Sequence, residues 1–225
     1  MAIQDFSKIE ARAAKRKGGA DALEALLPSP KSPRALAKIG DDRWLAAMTK
    51  GVFSAGFVWK VIEAKWDGFE AAFSRFVPGK VATLSDGDLD ELAKDERIVR
   101  NRQKIWATRD NARMVLDLAA EHGSFAKMVA RWPSSDLVGL YELLATQGSR
   151  LGGLSGQYLM RAQGKDTFML TSDVLEALVA AKVLDAPKAT SKKAKRAVQA
   201  AFDGWAAQTG RPLCQLSRIL ACSVP

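Results

Sequence analysis

The sequence predicts an all-α chain, and three observations carry that expectation. Apolar residues recur at helical rather than alternating spacing along the whole length. Ser, Thr, Asp or Asn stands before most of those runs and Gly or Pro after them, which is how helices start and stop. No segment alternates as a half-buried strand would, and no internal repeat is present. Together these signals divide the 225 residues into about ten short helices.

The elements follow in order. Residues 1–34 mix Lys8, Arg12, Lys15, Arg16 and Lys17 with a short apolar patch and then Pro28-Ser29-Pro30 and Ser32-Pro33. That composition predicts a basic, partly flexible arm holding one helix near Ala20–Leu27, followed by a helical domain over 35–225. Asp41 or Asp42 is expected to cap a helix carrying Trp44, Leu45, Met48 and Val52, and the spacing continues through Ala55, Phe57, Val58 and Ile62. Gly51 and Gly56 interrupt it, predicting two helices or one with a break. Phe69–Phe76 reads as a helix stopped by Val77-Pro78-Gly79. Ser85 with Asp88 three residues on is a capping-box pattern for a helix ending near Lys94.

Ile98–Ala120 has helical spacing and closes at His122-Gly123, and Phe125–Trp132 is stopped by Pro133. Ser135 or Asp136 is expected to cap Leu137–Ala145. A glycine-rich hairpin follows, then a helix through Met160, a link at Gly164-Lys165-Asp166, and a helix capped by Thr171 or Ser172. Ser191 caps a long helix through Trp205, and Leu213–Ala221 closes the chain with Arg218 outward.

Bulk properties narrow the function. A formal net charge of +9 and a sequence pI near 9.7 favour polyanionic partners, with a basic protein that binds none as the plain alternative. No run approaches the roughly 20 apolar residues of a membrane span, and Met1–Arg16 lacks a signal-peptide core. These features predict a cytoplasmic protein without a membrane partner. Cys214 and Cys222 would lie about 12 Å apart along one helix, too far to bridge, and read as small buried hydrophobes. His122, the only histidine, sits at a helix end. One His and two distant Cys argue against a zinc site and against a Ser–His or Cys–His nucleophile. No metal or other cofactor is expected.

The stretch Arg150-Leu151-Gly152-Gly153-Leu154-Ser155-Gly156-Gln157-Tyr158 places a glycine-rich turn between two helices, which presents backbone N–H groups at a helix N-terminus. Such a terminus seats a phosphate. About one helix later comes Leu170-Thr171-Ser172-Asp173-Val174, with a carboxylate. In a basic chain the pair suggests a protein that grips a DNA backbone and works beside it.

Residues 41–175 resemble the bacterial 3-methyladenine DNA glycosylase I family, within the helix-hairpin-helix glycosylase superfamily. Ala55-Gly56-Phe57-Val58-Trp59, with Phe69-Glu70-Ala71-Ala72-Phe73 and Phe76 downstream, is similar to the family's Ala-Gly-x-x-Trp segment and the helix after it. Ile98-Val99-Arg100-Asn101-Arg102-Gln103-Lys104-Ile105, with Asn111-Ala112, resembles a second family helix. Gly156 through Val174 matches the hairpin and following helix more loosely. The resemblance implies a bilobal helical fold with its helix-hairpin-helix near 143–161. It also implies a monofunctional hydrolase of base excision repair. Such an enzyme binds alkylated duplex DNA, extrudes a methylated purine into a pocket between the lobes and cuts its N-glycosidic bond. Trp59 falls on the family's base-stacking tryptophan, and an indole face attracts a cationic purine; a core position on an amphipathic helix is the other reading of Trp59.

The chain also departs from the family. The resemblance puts a base-reading glutamate eight positions before the tryptophan, and Gly51 stands there, between Lys50 and Val52. The family's Cys/His zinc clamp has no counterpart, and Asp173 occupies the second His position. Superfamily glycosylases place a catalytic aspartate after the hairpin to stabilise the cationic sugar; that position aligns with Thr171, two residues before Asp173. Asp173 is therefore read either as the catalytic carboxylate or as a complement to a helix dipole. Glu63 and Asp136 are weaker carboxylate candidates, each more ordinarily a surface charge.

Beyond residue 175, the run Lys188 to Arg196 brings four Lys and one Arg to the start of the last long helix. Cations there oppose the macrodipole unless an anion such as DNA compensates them, or they form a solvated face. The expectation is thus a monomeric glycosylase with Asp173 catalytic. Trp59, Phe53 and Lys50 bind the base, and Gly153, Ser155, Gly156, Gln157, Lys192 and Lys193 bind the DNA backbone. A catalytically inactive damage-binding relative, motivated by Gly51, and a basic helical protein-interaction module are the alternatives.

Overall fold

Side-chain caps decide where most helices begin. The computed structural model describes residues 4–56 and 58–225, and the regular structure among them is helical. The α-helices are α1 Phe6–Lys17, α2 Ala20–Glu24, α3 Pro33–Leu36, α4 Asp41–Ser54, α5 Trp59–Ala64, α6 Trp66–Ala72, α7 Pro78–Ala82 and α8 Asp86–Leu92. They continue with α9 Arg102–His122, α10 Phe125–Arg131, α11 Leu137–Gln147, α12 Leu154–Gln163, α13 Ser172–Ala180, α14 Lys192–Thr209 and α15 Leu213–Cys222. That is fifteen rather than about ten, because Gly, Pro and short turns split several expected segments. The Ser85/Asp88 capping box forms as expected, Thr171 caps α13 and Ser191 caps α14. Asp136 takes the cap of α11 by accepting the Gly139 N–H at 3.1 Å. None of the helices is long and apolar enough to cross a membrane.

The described residues divide into two compact units. One contains 4–31, Pro133–Leu140 and Gly164–Pro225; the other contains Ser32–Trp132 and Tyr141–Gln163. In the first unit the aromatic core runs through Phe6, Trp205, Phe202 and Phe168, with Phe168 stacked on Phe202 at 4.5 Å. Buried Phe6, Ile9 and Ala13 make α1 part of that core, so the expectation of a loosely held arm over 1–34 is corrected. The physical reason is the amphipathic face of α1, whose partners arrive some two hundred residues later. Trp205 Nε1 donates to the Gln4 carbonyl at 2.9 Å, and Arg211 reaches Glu10 at 2.7 Å and Glu24 at 3.0 Å. Asp166 accepts the Leu213 and Cys214 N–H groups at 3.1 and 2.8 Å, capping α15. Both cysteines are buried and neither is in a disulfide.

The second unit is built around α9, which packs on α4, α7 and α10. Its core holds an aromatic cluster in which Phe53 meets Phe69 edge-on at 4.7 Å, while Trp66 stacks on Phe69 and Phe76. Two expectations change here. Asp41 does not cap its own helix, whose N-cap is Gly40; its carboxylate accepts the Phe125 and Ala126 N–H groups at 3.1 Å each, at the start of α10. The segment before Val77 ends in a left-handed turn, with Ser74, Arg75 and Phe76 at φ of 50, 55 and 57°. Such backbone costs about 1–2 kcal/mol per residue. Stacking of Phe76 on Trp66 and a 2.8 Å hydrogen bond from Arg43 to the Arg75 carbonyl hold it in place.

Candidate nucleic-acid interface

In the second unit the chain leaves α4 at Ser54, turns through Gly56 at φ 76° and re-enters a helix at Trp59. Positive φ at Gly56 is open to glycine without a Cβ clash. The turn delivers Trp59 to the surface, where it is 60% exposed beside exposed Val58 and Val61. A tryptophan is normally buried on average, so the reading of Trp59 as a core residue is overturned. Phe53 lies the other way: it is fully buried against Phe69 and supports the surface from beneath rather than forming it. Lys50 remains partly exposed, with Nζ 2.7 Å from Glu63 Oε1 and 4.9 Å from the centre of the Trp66 ring. Gly51 is exposed, and a Cβ built on it meets nothing within 4 Å.

Lys104 is a functional candidate that sequence reasoning quoted without a role. It lies on the buried face of α9 and is 6% exposed. Its Nζ donates to the Phe53 carbonyl at 3.2 Å and the Ala55 carbonyl at 2.6 Å, fastening the last turn of α4 and the chain that leads to Trp59. Burial lowers its pKa first, and the nearby Arg150 charge lowers it further. A lysine four residues before a buried Thr108, next to Ile105, is the sequence signal that could have found it: a cation on an apolar helix face is kept only for a partner.

The glycine-rich hairpin joins α11 to α12 and is pinned from α9. Asn111 Nδ2 donates to the Ser149 carbonyl at 3.1 Å and its Oδ1 accepts the Ser149 N–H at 2.8 Å. Arg150, at φ 61°, bonds Gln103, and Leu151 is buried. Gly153, at φ 59°, is exposed with open space around its missing Cβ, and Gly152 beside it is exposed too. Ser155 is half-buried at the start of α12. Gly152 and Gly153 lead into the start of the ten-residue α12, whose N-terminus can face an anion, although the Ser155 N–H already donates to the Gly152 carbonyl at 3.3 Å. The two other predicted backbone contacts face inward. A Cβ on Gly156 would lie 2.6 Å from the Leu151 carbonyl oxygen and 3.3 Å from Leu144, so that glycine is there for close packing. Gln157 is buried and its Nε2 donates to the Gly153 carbonyl at 3.2 Å, bracing the turn.

In the first unit, Asp173 is exposed in the first turn of α13 and its Oδ1 accepts the Ser172 hydroxyl at 3.0 Å. Lys192 and Lys193 are exposed in the first turn of α14. Lys193 also lines an open cavity of about 300 Å³ with Asp185, Lys188, Thr190 and Ser191. Among the described residues no three His, Cys, Asp or Glu side chains group as metal ligands would.

Comparison with known proteins adds the following. The methyladenine glycosylase family model matches residues 36–141. DNA-3-methyladenine glycosylase 1 of Escherichia coli (strain K12) is 35% identical over 75 residues, which is 33% of this chain and 40% of that relative. The matched part of the chain therefore spans less than half the length of that relative. The 3-methyladenine DNA glycosylase I of Staphylococcus aureus, solved for the structural basis of 3-methyladenine recognition, has a TM-score of 0.51 at 23% identity. The match covers 56% of this chain and 77% of that one. A further crystal structure of a 3-methyladenine DNA glycosylase I gives a TM-score of 0.49 at 23% identity, over 65% of this chain and 87% of that one. The S. aureus likeness concerns the all-helical fold.

Proposed function

We propose that this chain, whose residues 36–141 match the methyladenine glycosylase family model, is a monofunctional DNA glycosylase that hydrolyses alkylated purines, such as 3-methyladenine, from duplex DNA. The observation that carries the reading is Trp59, a tryptophan lifted to 60% exposure on the matched segment, just after a chain stretch that Lys104 fastens at the Phe53 and Ala55 carbonyls. An exposed indole costs solubility and packing, and it fits a face on which an extruded base stacks.

The chemistry can be followed from the residues. The backbone at exposed Gly152 and Gly153, with the Ser155 hydroxyl, takes one phosphate at the start of α12. Lys192 and Lys193 supply cations for further phosphates. Extruding the base costs a few kcal/mol, least where alkylation has weakened its pairing, and stacking on Trp59 offsets part of that. An N3-alkylated purine is already cationic, so the C1′–N bond breaks with its electron pair leaving on the base. The base departs neutral without needing a proton donor. Positive charge then develops on the sugar, and the Asp173 carboxylate is the group we assign to stabilise it. Water adds its oxygen to C1′ and loses a proton to solvent, which leaves an abasic sugar. No residue need form a covalent bond to DNA, in keeping with hydrolysis and no strand cleavage. We further propose that the protein works as a cytoplasmic monomer.

The test is base release from methylated duplex DNA by the purified chain, with products separated chromatographically. Release of 3-methyladenine is expected; no release at any enzyme excess defeats the enzymatic reading. The second reading, a damage-binding relative without activity, is favoured by one observation, the exposed Gly51 where the resemblance expects a glutamate. It predicts lesion-dependent binding with no release.

A further inference from the structure

Resting on the glycosylase reading, we propose that Arg150 is a positioning residue that couples the grip on a DNA phosphate to the base platform at Trp59. Its guanidinium takes a backbone phosphate beside the hairpin, and through the first turn of α9 that contact steadies the chain leading to Trp59. The geometry behind this lies within the second unit. Gln103 and Lys104 are neighbours at the start of α9. Gln103 Oε1 accepts from the Arg150 guanidinium. Lys104 Nζ donates to the Phe53 and Ala55 carbonyls, at the end of α4 and shortly before Trp59. Farther along the same helix, Asn111 holds Ser149 by both its N–H and its carbonyl. One helix thus carries the hairpin on one side chain and the chain to Trp59 on the next.

Three features of Arg150 point to an anion. Its backbone is left-handed, at φ 61°, a conformation that strains a residue with a side chain and that glycine adopts freely. Glycine would meet the turn better, as it does at Gly153, so what the arginine adds is its side chain. That side chain is exposed and is the only charged one from Leu143 to Met160. Among the described residues it bonds the Gln103 amide and no carboxylate. Lastly, its charge bears on Lys104, pushing the ammonium's pKa further down after burial has lowered it. An anion at the guanidinium offsets that repulsion, and phosphate oxygens match the guanidinium fork. With Arg150 neutralised, the Lys104 ammonium is favoured and its charge-assisted bonds to the two carbonyls strengthen. The effect is mutual: a base seated at Trp59 strengthens the hold on the duplex by the same factor.

Arg150→Gln keeps a hydrogen-bonding group near Gln103 and removes the charge, whereas Arg150→Lys keeps the charge on a different head. The probes are 3-methyladenine, followed by equilibrium dialysis, and a short duplex carrying a stable abasic-site analogue. The wild-type chain is expected to bind 3-methyladenine at least about fivefold more tightly when saturated with that duplex. Arg150→Gln should bind the duplex with a slope of log affinity against log salt reduced by about 0.9. Without duplex it should bind 3-methyladenine more tightly than wild type, because the push on Lys104 is gone. Adding duplex should then change that affinity by less than about twofold. Arg150→Lys should restore the salt slope and the coupling. A merely structural role would weaken base and duplex binding together, with a lower Tm, and would overturn the proposal. So would a wild type without coupling, an unaltered salt slope, or an enhancement that survives in Arg150→Gln because the duplex covers the base directly. Base release from methylated duplex is measured alongside. Release by the wild type without coupling defeats this proposal alone; coupling without release defeats the enzymatic reading and leaves the proposal standing.

Discussion

Replacing Lys104 by methionine tests how the Trp59 surface is held. Methionine fills much of the same volume but cannot donate, so the Phe53 and Ala55 carbonyls lose a partner at 3.2 and 2.6 Å. Hydrogen bonds to a charged group contribute about 1.5–3 kcal/mol each, giving a gross loss of about 3–6 kcal/mol. Against it stands relief from burying an ammonium, visible in the downward push that burial and then Arg150 place on its pKa. The net expectation is a destabilisation of about 2 kcal/mol, or about 4–8 °C in Tm for a chain of this size.

The pH dependence has a definite sign. A lysine whose folded pKa lies below its unfolded value near 10.4 binds fewer protons when folded, so its contribution makes stability rise with pH across the window between the two values. Lys104→Met should flatten part of that rise on the alkaline side, as pH climbs towards the unfolded value, as read by chemical denaturation at a series of pH values. Base release should fall more than duplex binding, because the chain leading to Trp59 loosens. An unchanged Tm together with unchanged base release would refute the reasoning and reduce Lys104 to a bystander.

The other substitutions probe the remaining groups one at a time. Trp59→Ala should cut base release about 10- to 100-fold, the equivalent of one lost base stack of about 1–3 kcal/mol, while a filter-binding titration on undamaged duplex stays within twofold or so of wild type. Gly156→Ala forces a Cβ to within 2.6 Å of the Leu151 carbonyl and should cost about 1–3 kcal/mol of stability by overpacking, measured by thermal melting. Lys192→Glu with Lys193→Glu should lower DNA affinity and reduce the slope of log affinity against log salt by about 0.9 for each phosphate no longer neutralised; an unaltered slope removes α14 from the interface. Asp173→Asn should lower kcat about 10²- to 10³-fold with little change in DNA affinity, whereas a helix-dipole role alone would change only Tm.

What could be read from the sequence was governed by the range of the interaction. Ser85 with Asp88, Thr171, Ser191 and Gly123 announce helix ends because cap and partner lie within a few residues. Asp41 misled for the opposite reason: its carboxylate serves N–H groups 84 and 85 positions away. The docking of α1 was hidden likewise, since Phe6 finds Trp205 and Arg211 finds Glu10 across almost the entire chain. The left-handed turn at 74–76 has no glycine to betray it. At the candidate site the glycine-rich turn was legible, yet which residues face outward was not. Gly153 is exposed and Ser155 half-buried, whereas Gly156 packs on Leu144 and Leu151, Phe53 packs on Phe69, and Gln157 is turned inward to the Gly153 carbonyl.

The discontinuous make-up of the first unit has a consequence during synthesis. All parts of the second unit precede residue 164, so it can fold as soon as that stretch has emerged from the ribosome. The first unit waits for α15. Until then Phe6 of α1 lacks its ring partner Trp205, and α1 lacks α15. Contacts of such long sequence separation form slowly, and domains complete in the order their segments appear. A chain stopped before α15 would therefore carry a complete second unit beside an incomplete first one, whose unpaired apolar face protein quality control can recognise.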